Sequence, residues 1–189
     1  MNIALYGGKF DPPHVGHLNV ALQALKNIPH IDQLWLIPAK THQWRNVYAS
    51  GTDRLAMLKT FGQYDKRIKV SDIELQRPRP TITIDTVKEF KKKYPKHTFC
   101  WVMGSDNVAT FSRWDDYKEL QKLVPFWIYP RPGYQIKKLP KNFYAIPNYQ
   151  TEVKKFSSTG IRKKINQGLA VDHMLTPEVY RYIVKKQLY

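Results

Sequence analysis

The sequence has a single cysteine, Cys100, among its 189 residues. One thiol cannot form a disulfide within the chain, and proteins of oxidising compartments commonly contain such bonds. Long apolar runs are also absent, because stretches such as Leu34–Pro38 and Val124–Tyr129 are far shorter than the ~20 residues that a membrane-spanning helix needs. Met1–Tyr6 has neither the basic segment nor the long apolar stretch of a signal peptide. We therefore expect a soluble protein with a cytoplasmic location.

Acidic residues are scarce: 15 Asp and Glu stand against 31 Lys and Arg, which gives a formal net charge of +16. Such an excess favours an anionic partner, either a nucleic acid or a phosphorylated small molecule. The densest basic group, Lys91–Lys93 with Lys96, lies at the end of a predicted helix, where cations complement the helix dipole. The sequence has no helix-turn-helix, RNP or zinc-binding signature. Charge by itself therefore does not identify the partner.

Hydrophobic residues make up 42% of the chain and charged residues 24%, values that are typical of folded globular proteins and exclude global disorder. Segments of strand character alternate with segments of helical periodicity. The predicted strands are Asn2–Tyr6, Gln33–Pro38, Ile68–Ile73, Thr98–Met103, Phe126–Tyr129 and Asn142–Pro147. The predicted helices are residues 14–26, a helix with its N-cap at Thr52 or Asp53, and residues 83–94, 114–123, 158–167 and 177–188.

This alternation predicts an α/β fold with a doubly wound, mainly parallel sheet flanked by helices. The length predicts a single domain over residues 1–189, with a small C-terminal helical portion from about residue 157. Ligands of such sheets bind at the carboxyl ends of the strands, near the switch point of the topology. The segments Gly7–His17 and Gly104–Asn107 are therefore expected on one rim.

The first candidate motif is Gly7–His17, with the sequence Gly-Gly-Lys-Phe-Asp-Pro-Pro-His-Val-Gly-His. Gly7 and Gly8 follow a strand directly, and glycine allows close approach of a ligand to the backbone. The next helix begins near His14, so its free N–H groups make an anion site. His14 and His17 are three residues apart and share one helical face. Because the positive helix end repels a metal cation, both imidazoles suit donation to phosphate oxygens better than metal binding.

The second candidate motif is Phe156–Arg162, with three hydroxyl residues at a predicted helix start. One interpretation is that these hydroxyls serve only to cap the N-terminus of the helix. Arg162, however, lies one turn into the helix, where a cation opposes the dipole unless an anion sits at the helix end. Ser158, Thr159 and Arg162 together therefore suggest a polyphosphate clamp.

Two further residues have two interpretations each. Asp106 follows the fourth predicted strand, where it can accept hydrogen bonds from ribose hydroxyls or cap a helix. Trp114 can stack on an aromatic ring or belong to the core. The residues alone do not decide between these alternatives.

The first motif resembles the G-G-[ST]-F-D-P-x-H-x-G-H signature of the nucleotidylyltransferase superfamily, and Ser157–Arg162 resembles its S-S-T-x-I-R partner. With Thr81–Thr86, Gly104–Asn107 and Arg131–Gly133 in the matching order, the chain resembles the bacterial nicotinate-nucleotide adenylyltransferases over almost its whole length. Lys9 departs from the signature, where a small hydroxyl residue is usual, and the proline-histidine-lysine stretch of the family is only loosely matched by residues 38–45.

The resemblance implies a Rossmann-like fold and an enzyme that joins ATP and nicotinate mononucleotide into deamido-NAD with release of pyrophosphate. It implies that His14, His17 and Arg162 are catalytic and that Mg²⁺ acts through the ATP phosphates, without metal ligands from protein side chains. The implied ATP-binding residues are Gly7, Gly8, Phe10, His14, His17, Asp106, Ser158, Thr159 and Arg162. The implied mononucleotide-binding residues are Lys40, Arg45, Thr86, Asp106 and Trp114.

Three alternatives remain at this point. A related enzyme could act on nicotinamide mononucleotide or on phosphopantetheine, although the Thr-Ile-Asp-Thr segment and the pair Asp106 and Trp114 favour the nicotinate branch. A basic nucleic-acid-binding protein would use the net charge directly, but it would leave both phosphate motifs unexplained. We expect neither a nucleic-acid nor a membrane partner. The aromatic content allows a homo-oligomer without requiring one.

Overall fold

The structure of the chain, a computed structural model, describes residues 1–40, 47–78, 80, 82–134, 138–150 and 156–189. Six parallel strands form one sheet within these ranges. They are β1 (Asn2–Gly8), β2 (Gln33–Pro38), β3 (Ile68–Val70), β4 (Thr98–Gly104), β5 (Phe126–Tyr129) and β6 (Phe143–Ala145). Their order across the sheet is β3-β2-β1-β4-β5-β6, the order of a Rossmann fold.

Helices connect the strands and follow the last one. They are α1 (Val15–Asn27), α2 (Gly51–Lys59), α3 (Thr83–Lys93), α4 (Ser105–Val108), α5 (Tyr117–Leu123), α6 (Ser158–Asn166) and α7 (Pro177–Lys186). Short 3₁₀ turns cover Thr60–Gln63, Phe111–Arg113 and Asp172–Met174. In the described part of the chain, none of the helices combines the length and the apolar character that crossing a bilayer requires.

Both faces of the sheet are buried, which explains why its strands are almost continuously apolar. Along β1, Ile3 and Leu5 point into one hydrophobic cluster, while Ala4 and Tyr6 point into the other. The first cluster is covered by α3 and α5, and the second by α1, α2, α6 and α7. The prediction of a doubly wound parallel sheet flanked by helices is therefore confirmed.

Two predicted helix starts differ from the structure. The N-cap of α2 is Ser50 and not Thr52 or Asp53, because the Ser50 hydroxyl accepts the N–H of Asp53 at 3.0 Å. Helix α5 begins at Tyr117 and not at Trp114. Its preceding residue, Asp116, has φ +47° in the left-handed region, so a right-handed helix cannot continue backward through it.

The sheet topology places two loops next to each other. The chain leaves β1 toward β2 on one side, whereas β4 lies on the other side of β1 and leads outward to β5. The loop after β1 and the short helix α4 after β4 therefore flank the switch point, as the sequence predicted. Open sheets of this type bind ligands at this position.

A buried arginine holds the loops at this rim. Arg54 of α2 is only 1% exposed. Its Nη1 donates to the carbonyl oxygen of Lys9 at 2.7 Å, its Nε to that of Ala49 at 3.3 Å, and its Nη2 to that of Lys40 at 3.4 Å. Burial lowers the pKa of Arg54, while the nearby Asp11 carboxylate opposes that shift. One guanidinium thus joins the loop after β1 to the loop after β2.

We expect Arg54→Met to lower the free energy of unfolding by about 3 kcal/mol or more, because it leaves buried carbonyl groups without donors and Asp11 without a nearby cation. Arg67→Met is the matched control, since Arg67 pairs with Asp65 on the surface. An exposed pair contributes less than about 1 kcal/mol. Urea denaturation measures both variants, and equal losses would contradict the anchoring role of Arg54.

Candidate active site

The end of β1 is packed too tightly for side chains. A Cβ at Gly7 would lie 2.7 Å from Cζ2 of Trp101, and a Cβ at Gly8 would lie 3.1 Å from Cζ of Phe10. Phe10 has φ +51° and is 2% exposed, and its ring is 4.9 Å from the ring of His17 between centroids. The two glycines therefore allow the Phe10 and Trp101 rings to pack against the backbone. This packing role is separate from the ligand approach that the sequence suggested.

His14 and His17 form a stacked pair at the start of α1. Their ring centroids are 3.7 Å apart, with 27° between the planes. A Cβ at Gly16 would lie 3.0 Å from Nδ1 of His14, so this glycine leaves room for the ring. The backbone N–H of His14 donates to Nδ1 of His17 at 3.3 Å. Because Nδ1 accepts, a neutral His17 carries its proton on Nε2.

Both imidazoles are neutral at pH 7. Burial lowers the pKa of His14 to about 3, and Arg131 adds to the shift. The pKa of His17 also lies well below its usual value, through burial first and then through His14 and Arg131. Within the described residues, Nδ1 of His14 is buried and has no hydrogen-bond partner. The pair therefore offers neutral hydrogen-bonding groups, which need no counter-ion.

The second motif docks directly on the first. Ser157 caps α6 by accepting the N–H of Gly160 at 3.1 Å. The Ser158 hydroxyl donates to the carbonyl oxygen of Pro12 at 2.9 Å, and Nη1 of Arg162 donates to that of Asp11 at 2.5 Å. Nη2 of Arg162 donates to the Thr159 hydroxyl at 3.3 Å. The starts of α1 and α6 therefore lie side by side, although almost 150 residues separate them.

These two helices differ from the others in their first turns. The first turns of α2, α3, α4, α5 and α7 each contain an Asp or Glu, whereas those of α1 and α6 contain none. An acidic residue in the first turn neutralises the positive end of the helix dipole. In α1 and α6 no first-turn side chain compensates the positive end of the helix dipole, so an anion can bind there.

Asp106 and Arg131 face this space from the other side of the switch point. Nε of Arg131 lies 3.5 Å from Oδ1 of Asp106, and its Nη2 donates to the Tyr129 hydroxyl at 3.2 Å. The Ser105 hydroxyl accepts the backbone N–H of Arg131 at 2.8 Å. A Cβ at Gly104 would lie 2.9 Å from Nε of Arg131, so a larger residue there would displace the Arg131 side chain.

Arg131 is a site residue to which the sequence interpretation gave no role. The available signal was its place in the Arg131–Gly133 segment directly after β5. Its positive charge lowers the pKa values of both His14 and His17, which shows that it shares their electrostatic environment. Arg131 therefore lies close enough to the histidine pair to act on it electrostatically, and Asp106 pairs with Arg131.

Trp114 follows the 3₁₀ turn Phe111–Arg113 and is partly buried. Its ring packs at 5.5 Å from the Phe111 ring, with 50° between the planes. Phe111 is 4% exposed and belongs to the core, so it supports Trp114 from below. Trp114 is therefore both a packing residue at the edge of the core and an aromatic surface near α4.

Thr86 differs from its predicted role as a contact of the mononucleotide. Its side chain is fully buried in α3. The hydroxyl donates to Oε1 of Glu74 at 2.7 Å and accepts from Nη1 of Arg77 at 2.8 Å, while Nε and Nη2 of Arg77 donate to Oε2 of Glu89. These polar groups occupy the hydroxyl, so in this structure the buried Thr86 side chain joins α3 to the preceding loop.

The remaining predicted mononucleotide residues lie after β2. Nζ of Lys40 donates to the carbonyl oxygen of Arg77, so the side chain extends toward the loop that Arg77 anchors. Arg45 lies outside the described residues.

Two observations on the described residues concern a metal ion held by side chains alone and a cysteine nucleophile. No group of three or more His, Cys, Asp or Glu side chains is placed there to hold a metal ion. Burial raises the pKa of the Cys100 thiol to about 12, so it is not a nucleophile at neutral pH.

The chain is similar to known proteins along its whole length. The family model described as cytidylyltransferase-like matches residues 5–164. A protein of Shouchella clausii named "Probable nicotinate-nucleotide adenylyltransferase" is 37% identical over 99% of this chain and 96% of its own. A protein of the same name from Bacillus licheniformis is 32% identical over 99% and 97% of the two chains.

Solved structures share the fold. The nicotinic acid mononucleotide adenylyltransferase of Plasmodium falciparum complexed with NaAD has a TM-score of 0.81 and 24% identity, covering 98% of this chain and 96% of its own. The same enzyme complexed with APC has a TM-score of 0.79 and 25% identity, with the same coverage.

The neutrality of His14 makes the stability of the fold depend on pH. Between its ordinary pKa near 6.5 and its folded value of about 3, the unfolded chain binds a proton at this residue and the folded chain does not. The contribution of the neutral His14 to the free energy of unfolding is therefore fully present above pH 6.5, and it is lost as the pH falls toward 3. His14→Asn removes the titration and keeps an N-cap residue at the start of α1.

We expect the free energy of unfolding of the unmodified chain to fall by about 2 kcal/mol more than that of His14→Asn between pH 7 and pH 5. Urea denaturation at the two pH values measures the difference. Parallel losses in both proteins would contradict a buried, neutral His14.

Proposed function

This chain belongs to the nicotinate-nucleotide adenylyltransferases within the cytidylyltransferase-like family, and we propose that it joins ATP and nicotinate mononucleotide through the residues described above. The products are deamido-NAD and pyrophosphate, in a step of NAD biosynthesis. The structural observation that carries the proposal is the contact between the starts of α1 and α6 through Ser158 and Arg162. Two helix ends without acidic first-turn residues meet there, which suits a polyphosphate.

The reaction needs no nucleophile from the protein. The 5′-phosphate of the mononucleotide attacks the α-phosphorus of ATP in line, a new P–O bond forms, and the bond to the β-phosphate oxygen breaks to release pyrophosphate. The mononucleotide phosphate is already an anion, so no base must remove a proton from it. The task of the protein is to align the two substrates and to stabilise the charge that grows on the phosphate oxygens.

We assign that stabilisation to His14 and His17, with His17 donating from Nε2. Neutral imidazoles that are held in place by stacking are preorganised donors, and they do not repel the cationic side chains nearby. Thr159 and Arg162 hold the β- and γ-phosphates with the N–H groups at the α6 terminus, where Ser158 takes part through its backbone because its hydroxyl donates to Pro12. Gly7, Gly8 and Phe10 shape the floor of the cleft below the triphosphate.

On the other side of the switch point, Asp106 accepts hydrogen bonds from ribose hydroxyls, and Trp114 stacks on the pyridine ring. The positive charge of Arg131 lowers the pKa values of both histidines, so we place this side chain at the phosphates between the two substrates. Lys40 supplies a cation at the end of β2, on the mononucleotide side. Thr86 supports this region from within α3 and does not touch the substrate.

We propose Mg²⁺ as the cofactor, bound to the ATP phosphates. The donor set fits this arrangement, because Mg²⁺ in nucleotide sites commonly takes substrate phosphates, waters and at most one or two carboxylates. The carboxylate of Asp106 is partly exposed at the site, whereas that of Asp11 is occupied by the N–H groups of Tyr48 and Ala49. When bound, the ion neutralises the leaving pyrophosphate. A cytoplasmic location stays a prediction.

Pyrophosphate release by the purified protein with Mg-ATP tests the substrate. Nicotinate mononucleotide, nicotinamide mononucleotide and phosphopantetheine are compared side by side. We expect kcat/KM to be at least about tenfold higher for nicotinate mononucleotide, the preference that the family name implies. Equal use of both pyridine nucleotides would make the enzyme dual-specific. Turnover of phosphopantetheine alone would contradict the proposed substrate and the role of Trp114.

We expect His17→Ala to lower kcat by about a hundredfold or more, because loss of one preorganised donor to a developing oxyanion costs about 3–4 kcal/mol. His30→Ala is the control, since His30 lies before β2 at the opposite end of the sheet and is exposed. A His17→Ala enzyme that retains more than about a third of the original kcat would remove His17 from the mechanism.

A further inference from the structure

Tyr48 is an exposed aromatic residue that the phosphate clamp described above does not include. It is 66% exposed, in the loop between β2 and α2. The Cζ atom of Arg162 lies 4.2 Å from the centroid of its ring. This distance is well within the ~6 Å range of a cation–π contact.

Arg162 needs such a contact in the absence of a phosphate. It lies one turn into α6, where its positive charge opposes the helix dipole. The Asp11 carbonyl oxygen and the Thr159 hydroxyl each accept one N–H from it, and its Cζ atom lies over the Tyr48 ring. The expectation that only an anion could stabilise Arg162 at this position is therefore too narrow, because a carbonyl dipole and an aromatic face also do so.

Asp11 holds the backbone from which the Tyr48 ring projects. The N–H of Tyr48 donates to Oδ2 of Asp11 at 2.7 Å, and the N–H of Ala49 donates to Oδ1 at 3.0 Å. Asp11 is 1% exposed, so these bonds are shielded from water. Asp11 thus holds Tyr48 through its carboxylate and Arg162 through its carbonyl oxygen. One buried residue fixes both partners of the cation–π contact.

The contact leaves hydrogen-bonding capacity on Arg162. A guanidinium has five N–H donors, all in its plane. Two of them serve Asp11 and Thr159, and no hydrogen bond to the Tyr48 side chain is needed for the cation–π contact at 4.2 Å. The side chain is therefore held in one orientation with further donors at its edge.

We propose that Tyr48 is a positioning residue for ATP, which acts by orienting the guanidinium of Arg162 toward the β- and γ-phosphates. The inference rests on the proposed function, in which Arg162 is a phosphate ligand. A side chain that is ordered before the ligand arrives binds it at a lower entropic cost. Tyr48 contributes to ATP affinity in this way without touching ATP.

Tyr48→Leu tests the proposal, with Tyr48→Phe as the matched control that keeps the aromatic face and loses only the hydroxyl. Tyr48→Leu is expected to raise the KM for Mg-ATP and the Kd of a non-hydrolysable ATP analogue two- to fivefold, the range of an exposed cation–π contact. The KM for the mononucleotide and the urea midpoint stay unchanged, since the ring is mostly in solvent. Tyr48→Phe behaves as the unmodified protein.

An unchanged ATP affinity in Tyr48→Leu overturns the proposal, and so does an equal loss in Tyr48→Phe. Tyr48→Leu combined with Arg162→Met shows whether Tyr48 acts through Arg162. The expected result is no further change in the Kd of the ATP analogue, because coupled residues are not additive. A further two- to fivefold rise would mean that Tyr48 contacts ATP itself and would overturn the positioning role.

The Arg162→Met protein also separates this inference from the proposed function. If it binds the analogue as tightly as the unmodified protein, Arg162 is not a phosphate ligand, and both proposals on this clamp fail together. If it binds at least about tenfold more weakly while Tyr48→Leu has no effect, the clamp stands and only the role of Tyr48 is overturned.

Discussion

Two buried, oppositely charged side chains hold the loops on which the site depends. Arg54 donates to carbonyl groups of the loops after β1 and β2, and Asp11 accepts two N–H groups of the second loop. A buried charge that loses its partners costs several kcal/mol, so neither loop can move away without a large penalty. Arg54 and Asp11 thereby fix the backbone that leads into α1, which includes the carbonyl oxygen that accepts from Arg162. They also fix the backbone of Tyr48.

The histidine pair adds no positive charge to a site that already contains Arg131 and Arg162. Burial, with Arg131 nearby, holds the imidazoles of His14 and His17 in their neutral forms. Two protonated imidazoles stacked at 3.7 Å would repel each other and both arginines. The neutral pair avoids this repulsion and still presents N–H donors to a phosphate oxygen that approaches.

The sequence predicts the sheet, most helices and both phosphate motifs, because periodicity and helix capping are local properties. It does not predict partners that come from distant segments. The hydroxyl of Thr86 is in a segment that suggests substrate contact, yet Glu74 and Arg77 occupy it. Arg54 has the pattern of a surface residue on a helix, and only tertiary packing shows that it is buried. Arg131 likewise required the placement of β5 beside β4.

The net charge of +16 has an architectural component that is separate from catalysis. The six longer helices each have a basic residue in the last turn. Cations there stabilise the negative end of each helix by ~0.3–1 kcal/mol. At the opposite ends, four of these six helices balance their dipoles with an acidic residue, and α1 and α6 do not. The binding site is thus distinguished less by added positive charge than by negative charge that is missing from two helix starts.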